Sequence, residues 1–294
     1  MQVQHTIREE VSCRGIALHC GGAVKVRLLP AGPHEGIVFR RLDAGADAPA
    51  IPALLANVTG HAHATAVGVG QVSVQTVEHL LAAVFGLGID NLQILVDGPE
   101  LPIFDGSAAP WVHLISSVGT VAEEDAERRF AAVRKRVYVH GMSPWSSALV
   151  LPANTLRVAC SISFDHPSVG AQRFCFEHAN GAFLRELASA RTFGFLEDGA
   201  AMQAAGLARG ASLESCIVFD EQTMLNPEPL RFSKEPVRHK VLDVLGDLVL
   251  FGTPLVGEFI MDRPSHALTH QVLHALLADP TCLSSARGTE NMGH

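Results

Sequence analysis

Apolar and polar residues alternate with period two over residues 13–18 and again over 24–29, on either side of Gly21–Gly22, a pattern that predicts a β-hairpin. Residues 36–42 read as a further strand. Over 76–85 the apolar positions take on a helical pattern, stopped by Gly86 and Gly88. Residues 91–96 then form a strand that ends in the turn Asp97–Gly98–Pro99. After this the pattern starts again. Strands are predicted over 137–139, 148–151 and 156–164, helices over 181–190 and 237–250, and a last strand over 255–261. Between the two series the charge reverses abruptly, from Glu123–Glu124–Asp125 to Arg128–Arg129, which places a domain boundary near residue 126.

Each series contains a helix with a similar opening, Val77–Glu78–His79–Leu80 in the first and Val237–Arg238–His239–Lys240 in the second. Both helices end near glycine and feed a strand. Two such units predict an α+β fold of two similar domains, 1–126 and 127–294, each a mainly antiparallel sheet packed against helices. One histidine then arrives at the same place in each half. A V-x-H helix start also recurs by chance, so the repetition alone decides nothing.

Composition narrows the class. Apolar residues make up 48% of the 294 and charged residues 18%, which is globular and excludes disorder. The most apolar stretch, 244–261, is interrupted by Gly246, Asp247, Gly252, Pro254, Gly257 and Glu258, so no transmembrane segment is expected. The first twelve residues lack a signal-peptide core, and a cytoplasmic location is expected. Net charge is −8 and the longest basic run is Arg134–Lys135–Arg136, which excludes a nucleic-acid groove or a polybasic membrane patch. Six cysteines without a C-x-x-C pair read as reduced thiols.

The candidate chemistry lies among fifteen histidines, so each functional one needs its own argument. On a helix, His239, Asp243 and Asp247 stand four apart and share one stripe, with Val241, Leu242, Val244, Leu245 and Leu248 covering the remainder. Asp is a poor helix former, and two in an apolar helix need partners or a metal. His239 and Asp243 have the reach to chelate one divalent ion; a solvated polar stripe is the other reading. Zinc catalysis commonly uses three N/O ligands and one open position. The pair Glu78–His79 can supply the third ligand and a neighbouring base, or be simply a helix-start acid beside a buried histidine. His266 can present an imidazole to the same site with Asp247 behind it, or be an ordinary histidine at a helix start.

Taken together, the blocks 15–19 (Gly-Ile-Ala-Leu-His), 76–80 (Thr-Val-Glu-His-Leu), 105–110 (Asp-Gly-Ser-Ala-Ala-Pro), 164–167 (Phe-Asp-His-Pro), 190–195 (Ala-Arg-Thr-Phe-Gly-Phe), 237–247 and 266–268 resemble the UDP-3-O-acyl-N-acetylglucosamine deacetylase family, in family order over nearly the whole chain. The resemblance implies a site between the two domains and a reaction, zinc-dependent hydrolysis of the 2-acetamide of an acylated UDP-glucosamine with release of acetate, the committed step of lipid A synthesis. It implies zinc held by His79, His239 and Asp243, with Glu78 as general base. His266 would stabilise the oxyanion or protonate the leaving amine, oriented by Asp247, and Thr192 would donate to the oxyanion. Lys240 and Phe193 match substrate contacts. An inserted segment over 195–218, with Leu196, Leu207 and Val218, would line the acyl passage. Lys240, Arg191, Arg238 and Arg263 are the local cations expected for the diphosphate. A monomer is expected, touching a membrane surface only transiently, through its substrate. A relative acting on another N-acetylated sugar nucleotide, or a non-catalytic metal-binding homologue, is the alternative such a resemblance leaves.

The chain departs from the family pattern in places. Ser265 replaces a frequent glycine before the last histidine, Gly210–Ala211 replaces a glycine pair, and Pro144 stands where a lysine is expected. His61–Ala62–His63 is unusual, and 284–294 reads as a polar tail. These changes leave the expected zinc machinery intact and bear on substrate affinity and acyl-length preference.

Overall fold

A computed structural model describes residues 2–287. Its strands form two principal sheets and three smaller ones. In the first principal sheet Val11–Ile16 and Ala23–Pro30 form the expected hairpin, and Leu92–Val96, Ile37–Arg41 and Ile51–Pro52 follow in that order. Pairing is antiparallel except between Ile37–Arg41 and Leu92–Val96. The second is organised around Leu255–Asp262, which pairs antiparallel with Ser147–Leu151 and parallel with Arg129–Val133 and Leu156–Ser163. The sheet continues outward to Val137–His140, Ala171–Glu177 and Leu283–Arg287. Thr120–Glu127 pairs with Val3–Ile7, and one residue later the chain enters Arg129–Val133 in the other sheet.

Six helices are described: α1 (Glu78–Gly86), α2 (Ala109–Val118), α3 (Ala182–Glu186), α4 (Leu196–Ala204), α5 (Glu235–Leu248) and α6 (His266–Ala278). The helix expected over 76–85 is α1, and that over 237–250 is α5, continued by a short 3-10 turn. α1 is buried from Glu78 through Val84, which is why its sequence is apolar all round and not amphipathic. It packs on α5, which lies on Leu156–Ser163 and Ala171–Glu177, with α6 beside it. One continuous core joins Phe39, Leu80 and Trp111 to Phe176, Leu245, Phe259 and Leu273.

Two glycines set how closely these layers meet. A Cβ on Gly246 would stand 2.2 Å from the Glu78 carbonyl oxygen, so α5 touches the backbone of the first residue of α1. A Cβ on Gly86 would fall 2.0 Å from the Phe183 ring. The crossing of the two helices is therefore fixed at Glu78.

Two expectations need correction. The helix expected over 181–190 covers only Ala182–Glu186. The inserted segment 195–218 holds α4 between the parallel strands Phe193–Phe195 and Ile217–Phe219. The polar tail begins instead as the strand Leu283–Arg287, paired with Arg129–Val133, since backbone pairing needs no apolar side chains; its remainder lies outside the described residues. Among the described residues no helix is long and apolar enough to cross a membrane.

Candidate active site

Each helix that carries a candidate catalytic or metal-ligating residue follows a non-glycine residue in the left-handed region: Thr76 (φ 57°) before α1, Lys234 (φ 60°) before α5 and Arg263 (φ 46°) before α6. Such conformations are costly and persist where surrounding contacts enforce them. Thr76 is held by its hydroxyl, which donates to Glu100 Oε1 at 2.9 Å. The sharp turns bring the N-termini of α1 and α6 toward the side of α5. Glu78 and His79 occupy the first two positions of α1, and His266 the first of α6.

His79, His239 and Asp243, all buried, offer ligand atoms within 4.8 Å of one another. His239 Nδ1 stands 3.0 Å from the Ala190 carbonyl oxygen. A carbonyl only accepts, so Nδ1 carries the proton and Nε2 presents a lone pair. That lone pair faces Asp243 Oδ1 at 3.2 Å, and His79 Nε2 faces the same oxygen at 3.7 Å. Oδ1 is buried with no hydrogen-bond partner, whereas Lys240 Nζ donates to Oδ2 at 3.0 Å. Two imidazole nitrogens turned toward one bare carboxylate oxygen repel unless a cation lies between them. The donor set fits a divalent metal that accepts nitrogen and oxygen ligands. Burial and the neighbouring His239 push His79 down to about 3, so it is neutral, as a ligand must be. Asp243 stays well below the carboxylate range: burial opposes this, but His239 and Lys240 outweigh it.

Beside this group stand the remaining titratable residues. Glu78 Oε2 accepts the Thr65 backbone N–H at 3.1 Å, and Oε1 lies 3.8 Å from His266 Nε2. Burial raises Glu78 to about 7, with Asp243 and Asp247 adding to the rise and His266 opposing it. His266 Nδ1 donates to Asp247 Oδ2 at 2.7 Å, and Thr65 Oγ1 donates to Asp247 Oδ1 at 2.6 Å. Burial disfavours a charged His266, yet Asp247 prevails and raises it to about 9. At neutral pH the arrangement holds a carboxylate ready to take a proton beside an imidazolium ready to give one.

Seven of the expected residues therefore converge: Glu78, His79, His239, Lys240, Asp243, Asp247 and His266. Thr192 and Phe193 do not contact them among the described interactions. Thr192 lies two residues past Ala190, with its N–H donating to the Gly106 carbonyl at 2.7 Å. Phe193 belongs to an aromatic group with Phe164, Phe195 and Phe219. Of the insert residues, Leu196 is exposed, and Leu207 and Val218 are half-buried.

The expected cation cluster divides. Arg191 is buried and committed to Glu235, its Nε donating to Oε1 at 2.9 Å. Arg238 lies over the Phe174 ring, 3.9 Å from its centroid, and donates to the Glu186 carbonyl. Both are structural here, which leaves Lys240 and Arg263. Ser265 is extended (φ −139°) and caps α6 by accepting from the Leu268 N–H, so no glycine freedom is needed there. Pro144 and Ala211 are exposed, as are His61 and His63.

Three contributors carried no usable signal in the sequence: Thr65 in a loop, the Ala190 carbonyl, and Glu235, which binds Arg191 from 44 residues away. The distance along the chain hides each partner.

A His–His–Asp group with the geometry to hold a metal ion stands at the crossing of two buried helices, with a buried glutamate and an Asp–His pair beside it, an arrangement suited to hydrolysis on a mixed α/β fold. The family model described as UDP-3-O-acyl N-acetylglycosamine deacetylase matches residues 4–278, and the chain belongs to that family. A UDP-3-O-acyl-N-acetylglucosamine deacetylase from Myxococcus xanthus (strain DK1622) is 44% identical over 294 residues, 99% of this chain and 92% of its own. Proteins of the same name from Anaeromyxobacter sp. (strain Fw109-5) and Campylobacter curvus (strain 525.92) are 44% and 43% identical, covering 98% and 94% of this chain and 93% and 92% of theirs.

Proposed function

We propose that this chain hydrolyses the 2-acetamide of UDP-3-O-(3-hydroxyacyl)-N-acetylglucosamine, releasing acetate, in the committed step of lipid A biosynthesis. The observation that carries the reading is the bare Oδ1 of Asp243, buried and faced by the Nε2 atoms of His79 and His239. His79, His239 and Asp243 would hold zinc, which when bound would supply Lewis acidity at the site. Glu78 Oε1 is placed to accept a proton from the attacking water while the Thr65 N–H fixes Oε2. His266, kept protonated by Asp247, gives its Nε2 proton to the leaving amine. Thr192 donates to the oxyanion, a contribution of about 3–4 kcal/mol for a well-placed donor. Lys240 and Phe193 contact the sugar nucleotide, and Leu196, Leu207 and Val218 line the acyl passage. The domains are 1–126 and 127–294; the change of strand partners between Glu127 and Arg129 supports that division. The enzyme acts as a cytoplasmic monomer.

The test is acetate release from acylated and unacylated UDP-N-acetylglucosamine by metal-loaded protein. The acylated compound should turn over, and Glu78→Ala should retain zinc while losing about 10²–10⁴-fold in kcat. Preference for the unacylated sugar would replace the substrate assignment, and a turnover-free wild type would remove the catalytic one.

A further inference from the structure

The inner face of α6 is mostly apolar, with Leu268, Val272, Leu273 and Leu276 buried. His270 shares that burial, one turn after His266, and is 4% exposed. Neither of its ring nitrogens has a hydrogen-bond partner. A polar ring taken from water without a partner destabilises a fold, where an aliphatic side chain would pack without that penalty. The Asp247 carboxylate faces the ring: His270 Nε2 lies 3.6 Å from Oδ1, too long for a hydrogen bond and close enough for a ring N–H to be attracted to that oxygen in a buried setting. On another side the ring meets exposed His61 edge-on, with centroids 6.1 Å apart.

Asp247 is thus gripped at both oxygens: Oδ2 receives His266 Nδ1, and Oδ1 receives Thr65 Oγ1 and faces His270. The terminal torsion of an aspartate is broad, so one contact per oxygen leaves the carboxylate free to rock. A second attraction on Oδ1 narrows that motion.

We propose that His270 is a positioning residue for the reaction: together with Thr65 it holds Oδ1 of Asp247 and fixes the carboxylate rotation that presents Oδ2 to His266. This rests on the roles assigned to Asp247 and His266 above. No described contact joins His270 to His79, His239 or Asp243, so its removal acts on turnover and not on metal binding.

The experiment compares His270→Leu, which fills the space without polarity, with His270→Gln, whose amide N–H can face the same oxygen. In the metal-loaded enzyme His270→Leu should lower kcat about tenfold with KM and bound metal unchanged. His270→Gln should recover most of that loss. Independently of turnover, the downfield Nδ1 proton resonance of His266, assigned by its absence in His266→Gln, should broaden or move upfield in His270→Leu and persist in His270→Gln. Should His270→Leu not fold, His270→Ala takes its place in both comparisons. A kcat within twofold of wild type together with an unchanged resonance overturns the proposal, as does an equal loss in the Leu and Gln variants. If wild type itself does not turn over but the resonance responds as described, the positioning stands and the assigned reaction falls.

Discussion

Asp247→Asn keeps the shape of the side chain and removes its charge, which isolates what Asp247 does to His266. The wild-type imidazole sits at about 9 although burial opposes its charge. Relative to its ordinary value of 6.5, that rise corresponds to about 3 kcal/mol of preference for the protonated form. With the charge gone, burial acts with far less opposition and the value falls to 6.5 or lower. Activity needs Glu78 ionised and His266 protonated together. With Glu78 at about 7, about four-fifths of the wild type satisfies both at pH 8. With His266 at 6.5, no pH gives more than about one-eighth. With Glu78 held at about 7 the maximal kcat/KM should therefore fall about sixfold from protonation state alone, and by less to the extent that Glu78 falls with the loss of the Asp247 charge. Asp247 also raises Glu78, so its neutralisation moves both limbs toward acid. The diagnostic is the alkaline limb of kcat/KM, measured by acetate release from about pH 5 to 10: near 9 in wild type, below 7 in Asp247→Asn. The same coupling reaches stability. A folded-state value above the unfolded one stabilises fully below pH 6.5, and that contribution is lost as pH rises through 9. Wild-type thermal stability should decline across this window by an amount the variant lacks. An Asp247→Asn enzyme whose alkaline limb stays near 9 would refute the reasoning.

Other perturbations test other parts of the site. His79→Ala or Asp243→Ala should remove metal and activity together, read by metal analysis of purified protein alongside turnover, because each deletes one of the three proposed ligands. Gly246→Ala places a methyl group 2.2 Å from the Glu78 carbonyl and forces α1 from α5. It should destabilise by about 1–3 kcal/mol in chemical denaturation and weaken metal affinity, whereas a neutral result would mean the helices are not locked at that crossing. Glu235→Ala leaves Arg191 buried without its carboxylate and should cost about 3–5 kcal/mol in stability, with weakened metal binding because the Ala190 carbonyl that orients His239 adjoins the freed Arg191.

Periodicity and short-range spacing account for what could be read before any coordinates. The hairpin around Gly21–Gly22, the two buried helices and the strand after each follow from local rules, because apolar period and glycine placement act over a few residues. His239, Asp243 and Asp247 fall on one stripe because four residues make one helical turn, and that geometry holds wherever α5 sits. Matched motifs then added Glu78, His79 and His266 to the same site.

Tertiary structure decided the remainder, for reasons that lie in distance along the chain. Thr65 reaches Asp247 across 182 residues, and no local pattern marks a loop threonine as a partner of a helix in the other half. Arg191 reads in the sequence as a free cation for a diphosphate, whereas in the fold Glu235 is buried against it. The left-handed residues before α1, α5 and α6 have no signature, since none of them is glycine. Ionisation states could not be read at all: Glu78 at about 7 and His266 at about 9 depend on burial and on which charges lie within a few ångströms, and both arise only when α1, α5 and α6 are packed together. Sequence therefore determined which side chains the helices carry and on which face, while packing determined their charge, their partners and the space between them.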